Sequence, residues 1–107
     1  MQSNKYLSLL GLARRAGRLS MGHDMALKAV KEKKAGLVVF SSDISPRLIK
    51  EFERACSFEN IKTVKIPETV NDIHMALGYK AGVITVNDDN FSGRILELVK
   101  EEIADGD

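Results

Sequence analysis

Residues 22–46 read GHDMALKAVKEKKAGLVVFSSDISP, and the changes of period inside this stretch decide the fold class. From Gly22 the apolar residues Met25, Ala26, Ala29 and Val30 recur at helical spacing, so a helix opens at the glycine and is expected to bury that side. Ala35-Gly36 punctuates it. Leu37-Val38-Val39-Phe40 is a short unbroken apolar run, the pattern of a strand covered on both faces. Ser42-Asp43-Ile44-Ser45-Pro46 then starts another helix, with Ser45 placed to cap it and Pro46 where a missing N–H costs nothing. A doubly buried strand between two helices is the signature of an α/β fold.

The flanking sequence extends the alternation. Apolar residues at 6, 7, 9, 10, 12, 13 and 16 form a helical stripe from Lys5 to Ala16, stopped by Gly17, and Leu19-Ser20-Met21 has room for a short strand. The helix from Pro46 turns Leu48, Ile49, Phe52, Ala55 and Cys56 inward. Ile61 to Ile66 has the β-branched content of a strand and is interrupted by Pro67; Thr69 can cap a short helix running to Gly78. Gly82 to Val86 is another strand, and Asn87-Asp88-Asp89-Asn90 a loop. A last helix from about Phe91 carries Ile95, Leu96, Leu98, Val99 and Ile103, ending in the acidic Glu101-Glu102 and Asp105-Gly106-Asp107. Short strands separated by helices call for one mixed or parallel sheet with helices on both faces.

At 107 residues, 44% hydrophobic and 29% charged, the chain is expected to form one small domain, 1–107, around a single core. No apolar run approaches the roughly 18 residues of a membrane helix, and the first residues show neither a signal peptide nor an anchor pattern. Cys56 is the only cysteine, which excludes an internal disulfide and suits a cytoplasmic location.

Catalytic patterns are weak throughout. Cys56 lies on the apolar face of its helix and reads as a buried thiol. His23 and His74 lack partners at metal-ligand spacing, so each reads as a surface or packing histidine. Asp88-Asp89 suits a solvated turn better than an acid–base pair. Gly78-Tyr79-Lys80-Ala81-Gly82 leads into a strand, whereas phosphate-binding glycine loops lead into a helix. The expectation is a protein that is not an enzyme and uses neither cofactor nor metal.

Charge is more informative. Residues 1–34 carry eight Lys+Arg against two acids, a local +6, and the remainder carries −5 within a total of +1. Such a polarised surface suits a polyanion. Arg14 and Arg15 close the first helix, and Arg18 follows just past Gly17. The start of the second offers outward N–H groups, with Lys28 and Lys31 further along it. Arginine forks and lysine charges beside a helix start are what an RNA backbone takes, while a merely solvated basic face is equally compatible with composition.

Leu10-Gly11-Leu12-Ala13-Arg14-Arg15-Ala16-Gly17, Gly22 followed by Lys28-Ala29-Val30, and Ala35-Gly36-Leu37-Val38-Val39 before Ser42-Asp43-Ile44-Ser45-Pro46 together resemble the L7Ae/L30e ribosomal protein superfamily. Ile61 to Val64, Leu77-Gly78 and Val83 to Asn87 follow in the same order, so the resemblance spans roughly Lys5 to Val99. Within the superfamily, the Leu-Gly-Leu-Ala-Arg-Arg-Ala-Gly run is most similar to the small bacterial ribosome-associated paralogues of the YlxQ type. The resemblance implies a three-layer α/β/α sandwich with a mixed central sheet of about four strands, and binding of structured RNA such as kink-turns. It further implies that Gly22 offers its N–H to a phosphate and that Asp24 and Met25 stand where the family carries the Asn-Glu pair that reads guanines. Lys28 then supplies the basic residue one turn on, and Gly78-Tyr79-Lys80-Ala81 the second contacting loop. Asp24 accepts but cannot donate as asparagine does, and Met25 has no acidic acceptor, so another bent RNA read through Tyr79 stacking and Lys80 charge stays open.

The expected RNA contact set is Arg14, Arg15, Arg18, Gly22, His23, Asp24, Met25, Lys28, Lys31, Tyr79 and Lys80. The expected partner is structured ribosomal or messenger RNA, with ribosome or ribosome-assembly proteins beside it, the chain itself being monomeric. The alternative is a protein-interaction module on the same fold, for which methionine at an exposed helix start is the best support. An accessory domain for an RNA-modifying enzyme is a third reading, without a catalytic segment to support it.

Overall fold

The computed structural model describes residues 4–105. Five helices alternate with four strands: α1 (Lys5–Arg15), β1 (Leu19–Met21), α2 (His23–Lys31), β2 (Leu37–Phe40), α3 (Pro46–Glu59), β3 (Lys62–Lys65), α4 (Val70–Leu77), β4 (Val83–Val86) and α5 (Asp89–Asp105). The strands form one mixed sheet in the order β1-β4-β2-β3. β4 runs antiparallel to both neighbours, while β2 and β3 are parallel. The expected α/β/α sandwich is present.

Local chemistry sets the boundaries. Asn4 accepts from the Leu7 N–H at 3.0 Å to start α1, and Ser45 accepts from the Leu48 N–H at 3.2 Å with Pro46 in the first turn of α3. Thr69 and Asp72 form a reciprocal capping box at α4, with bonds of 3.1 and 3.0 Å. α5 begins two residues before the expected Phe91, at Asp89, because Asp88 Oδ1 accepts from the Phe91 N–H at 2.9 Å and caps the helix.

Alternation along the central strands builds two cores. Leu37, Val39, Ile84 and Val86 face α1, α4 and α5, packing with Tyr6, Leu10, Ile73, Leu77, Ile95 and Val99. Val38, Phe40 and Val83 face α2 and α3, packing with Ala26, Ala29, Val30, Phe52 and Cys56. Burial on both faces is why β2 reads as a continuous apolar run, and β4 is buried throughout as well, Thr85 included. β3, at an edge, exposes Lys62 and Lys65, charges that discourage strand addition.

Three close approaches lock the layers. Tyr6 donates to Glu68 at 2.6 Å, pinning α1 to the segment before α4; burial and this bond push the phenol well above its ordinary pKa. Asp43 accepts from the Val70 N–H at 3.0 Å and from Ser41 at 2.9 Å, which hold its carboxyl below the usual range and tie the end of β2 to the start of α4. Gly36 admits α5: a Cβ there would stand 2.6 Å from Ser92 Oγ.

Candidate nucleic-acid interface

Antiparallel pairing of β1 with β4 places Met21 opposite Ile84 and delivers the chain to Gly22 at the edge of the sheet. Gly22 adopts φ 96°, ψ 164°, a region essentially reserved for glycine, so that the chain can leave β1 and enter α2 at once. Its N–H donates to the Val83 carbonyl at 2.9 Å. The expectation that Gly22 offers this N–H to a phosphate is therefore corrected: the amide is consumed in joining α2 to β4. Its carbonyl accepts from Ala26 at 2.9 Å as the first intrahelical bond, which leaves the amides of His23, Asp24 and Met25 ahead of the helical ladder. No side chain among the described residues caps them.

The second element is the segment between α4 and β4. Gly78 ends α4 in the left-handed region at φ 78°, donating to His74 O at 2.8 Å. Tyr79 is half exposed and Lys80 exposed, whereas Ala81 is buried and the Gly82 carbonyl accepts from Ser41 N–H at 2.9 Å. Because Val83 receives the Gly22 amide, this loop and the start of α2 meet at the same end of the sheet. Arg15 leans toward it: its Nη1 and Leu77 Cδ2 lie 3.8 and 3.9 Å from a Cβ position at Gly11, so the guanidinium shares a surface with the end of α4.

His23 gives this end its electrostatic character. Nδ1 lies 2.9 Å from Asp24 Oδ1 and Nε2 3.1 Å from Glu51 Oε1 on α3, while the ring meets Phe52 edge-on at 5.7 Å. The bond to Asp24, then that to Glu51, raise the imidazole above its ordinary pKa. Asp24 is 99% exposed; with one oxygen turned to His23, the other remains an acceptor for an amino group.

A profile of the Ribosomal protein L7Ae/L30e/S12e/Gadd45 family matches residues 4–90. The chain belongs to this family. The family match runs through both elements just described, from α1 to the start of α5. The chain is similar to RNA-binding protein YlxQ of Bacillus subtilis strain 168, 27% identical over 100 residues that span 92% of this chain and 99% of that protein. RNA-binding protein YlxQ of Enterococcus faecium is 25% identical over 96 residues, 90% of this chain and 92% of its own. Among solved structures, a protein of unknown function from Bacillus halodurans superposes with a TM-score of 0.86 at 32% identity, covering 92% of this chain and 99% of that one. A Giardia lamblia 15.5kD RNA binding protein superposes at 0.74 with 21% identity over 97% and 92% of the two chains, a likeness of fold.

On this L7Ae-family fold the expected contact residues divide. Gly22, His23, Asp24 and Met25 stand beside the Tyr79-Lys80 loop, with Lys28 one turn along α2. Met25 is 56% exposed, correcting its assignment to the buried side: it lies about a quarter-turn off the line of Ala26, Ala29 and Val30, in the first turn of the helix. Arg18 is at the other end of β1, about 10 Å away along the strand, where its carbonyl accepts from Asn87 N–H at 2.7 Å and its Nε is 3.9 Å from Asp88. Lys31, in the last turn of α2, belongs to that far end as well, while Arg14 shares the last turn of α1 with Arg15. The basic segment that is continuous in sequence is thus divided between two ends of the sheet. Glu51 escaped the sequence reading, since nothing local marks a partner 28 residues from His23.

Among the described residues, no helix is long and apolar enough to cross a membrane. Cys56 is buried in the α2–α3 core, and burial pushes its thiol up to about 11.

Proposed function

We propose that this chain is a non-catalytic cytoplasmic RNA-binding protein, associated with the ribosome or its assembly, that grips a kink-turn or similarly bent RNA at the end of the sheet where α2 begins. The observation that carries the reading is the meeting of the leading α2 amides and Lys28 with the Tyr79-Lys80 loop. Backbone amides at a helix start suit a phosphate, Asp24 suits a guanine amino group, and Tyr79 suits stacking on an unpaired base. The YlxQ relatives, named as RNA-binding proteins, support RNA as the partner. No cofactor enters this reading, and the chain acts as a monomer.

The test is a titration against a kink-turn stem, the same stem with its G·A pairs replaced by Watson–Crick pairs, and a plain duplex, each at two salt concentrations. Preference for the intact kink-turn is expected, with affinity falling as salt rises. Equal binding to all three refutes bent-RNA recognition and leaves only a basic surface. The exposed Met25 favours a second reading, a protein-binding face at the same place. Absence of RNA binding at either salt would move the assignment there.

A further inference from the structure

The outward face of α3 carries a second set of groups that the α2 site does not use. Phe52 and Cys56 bury one stripe of this helix in the core. Opposite them, Arg47, Glu51, Arg54 and Phe58 follow at i, i+4, i+7 and i+11, one line along the helix, with Lys50 beside it. All five are exposed, and Phe58 is 83% exposed. Arg47, Lys50, Glu51 and Arg54 line a depression of about 510 Å³. Glu53 and Glu59 sit roughly 120° round the helix on either side and leave the line to the cations.

Two observations give this line a direction and a ligand chemistry. None of the ion pairs formed among the described residues engages Arg47, Lys50 or Arg54, so their charge is available. The acid on the line, Glu51, is bonded to His23 at 3.1 Å. That bond turns one carboxylate oxygen toward the ring and joins the α3 face to the first residue of α2. Three unpaired cations followed by an unpacked phenyl ring are the parts of a single-strand platform: charge tracks the backbone while the ring stacks on a base. An apolar partner protein would use the ring but gains nothing from three uncompensated cations around it.

We infer that the α3 face is a second RNA-contacting surface, which takes the unpaired strand leaving the structured element held at the start of α2. From Arg47 to Phe58 the line is about 16 Å long, room for a short run of nucleotides. The inference rests on the proposed function for its orientation, and the experiment separates the two.

Three probes are titrated: a kink-turn stem, the same stem with a short oligouridine tail on either end, and the oligouridine alone at low salt. The proteins are the parent, Phe58→Ala, and Arg47→Gln with Arg54→Gln, all surface changes whose folding is checked by thermal melting. The tail is expected to raise affinity for the parent. Phe58→Ala is expected to lower binding of the tailed stem by about 5- to 100-fold, and the double variant to reduce its salt slope by about 1.4. Both variants should bind the untailed stem like the parent. A parent that binds tailed and untailed stems alike, or a Phe58→Ala protein with unchanged tail binding, overturns the inference and leaves Phe58 to a protein partner. Tail-alone binding lost in Phe58→Ala, with no stem binding, refutes the proposed function while upholding the single-strand surface.

Discussion

Replacing Gly22 by alanine tests the hinge on which the whole interface turns. A Cβ at Gly22 meets no atom within 4 Å, so packing does not oppose the change. What opposes it is the backbone, held at φ 96°, ψ 164°, where an L side chain is strained by about 1–3 kcal/mol. Relaxing φ is blocked from two sides: the amide is bonded to Val83 O at 2.9 Å and the carbonyl accepts the first intrahelical bond from Ala26 at 2.9 Å. For a domain of this size the strain corresponds to a fall in Tm of about 5 to 20 °C. Gly78 provides the comparison, because its φ of 78° and ψ of 12° lie in the ordinary left-handed region. Gly78→Ala should cost about 1–2 kcal/mol, and Gly78→Asn less, since asparagine tolerates that region. The assay is thermal and urea unfolding of the three variants, with RNA titration alongside. Gly22→Ala should be the least stable and should lose RNA affinity even where it remains folded, because the three leading amides are aimed by Gly22. If Gly22→Ala melts with the parent protein, the argued strain is absent; if it also binds RNA normally, the amides of α2 are not the contact.

His23 should confer a pH dependence of stability. Its raised folded-state pKa means that the native protein holds the proton more tightly than the unfolded chain, so the stabilisation is complete below about pH 6.5 and lost as pH rises through the folded value. Urea unfolding of the parent and His23→Gln should diverge at low pH and converge toward high pH; a pH-independent gap refutes the Asp24–His23–Glu51 link. Gly36→Ala should destabilise by about 1–3 kcal/mol, because the new methyl meets Ser92 Oγ at 2.6 Å where Ser92 already donates to Val86 O at 3.1 Å. In a double-mutant cycle Ser92→Ala should recover part of the loss, and strict additivity would show that the two groups do not collide. Cys56, 2% exposed and with its thiol pushed up to about 11, should resist alkylation in the native protein and react fully in denaturant. Rapid native labelling would mean that the α2–α3 core opens.

The element order, the two faces of β2, the caps at Ser45 and Thr69 and the family resemblance were all legible in the sequence. The elements and caps depend on residues within a turn or two of one another, where the helical and strand periods and capping chemistry act locally, and the resemblance on the order of those local motifs along the chain. Most of the failures share one cause. Arg18 is closer to Gly22 in sequence than Lys28 is, yet a three-residue β1 carries it to the far end of the sheet. Met25 reads with a buried stripe from which it stands about a quarter-turn away, and it is exposed. The Gly22 amide looks available until β4, more than 60 residues later, supplies the Val83 carbonyl. The same holds for Glu51, brought to His23 by the packing of α2 on α3, and for the α3 face, which becomes a continuation of the site only through that contact. The sequence by itself determined the layers and the kinds of side chain available to an RNA. Which of them stand together was decided by strand pairing and helix packing between distant segments, interactions that no local period encodes.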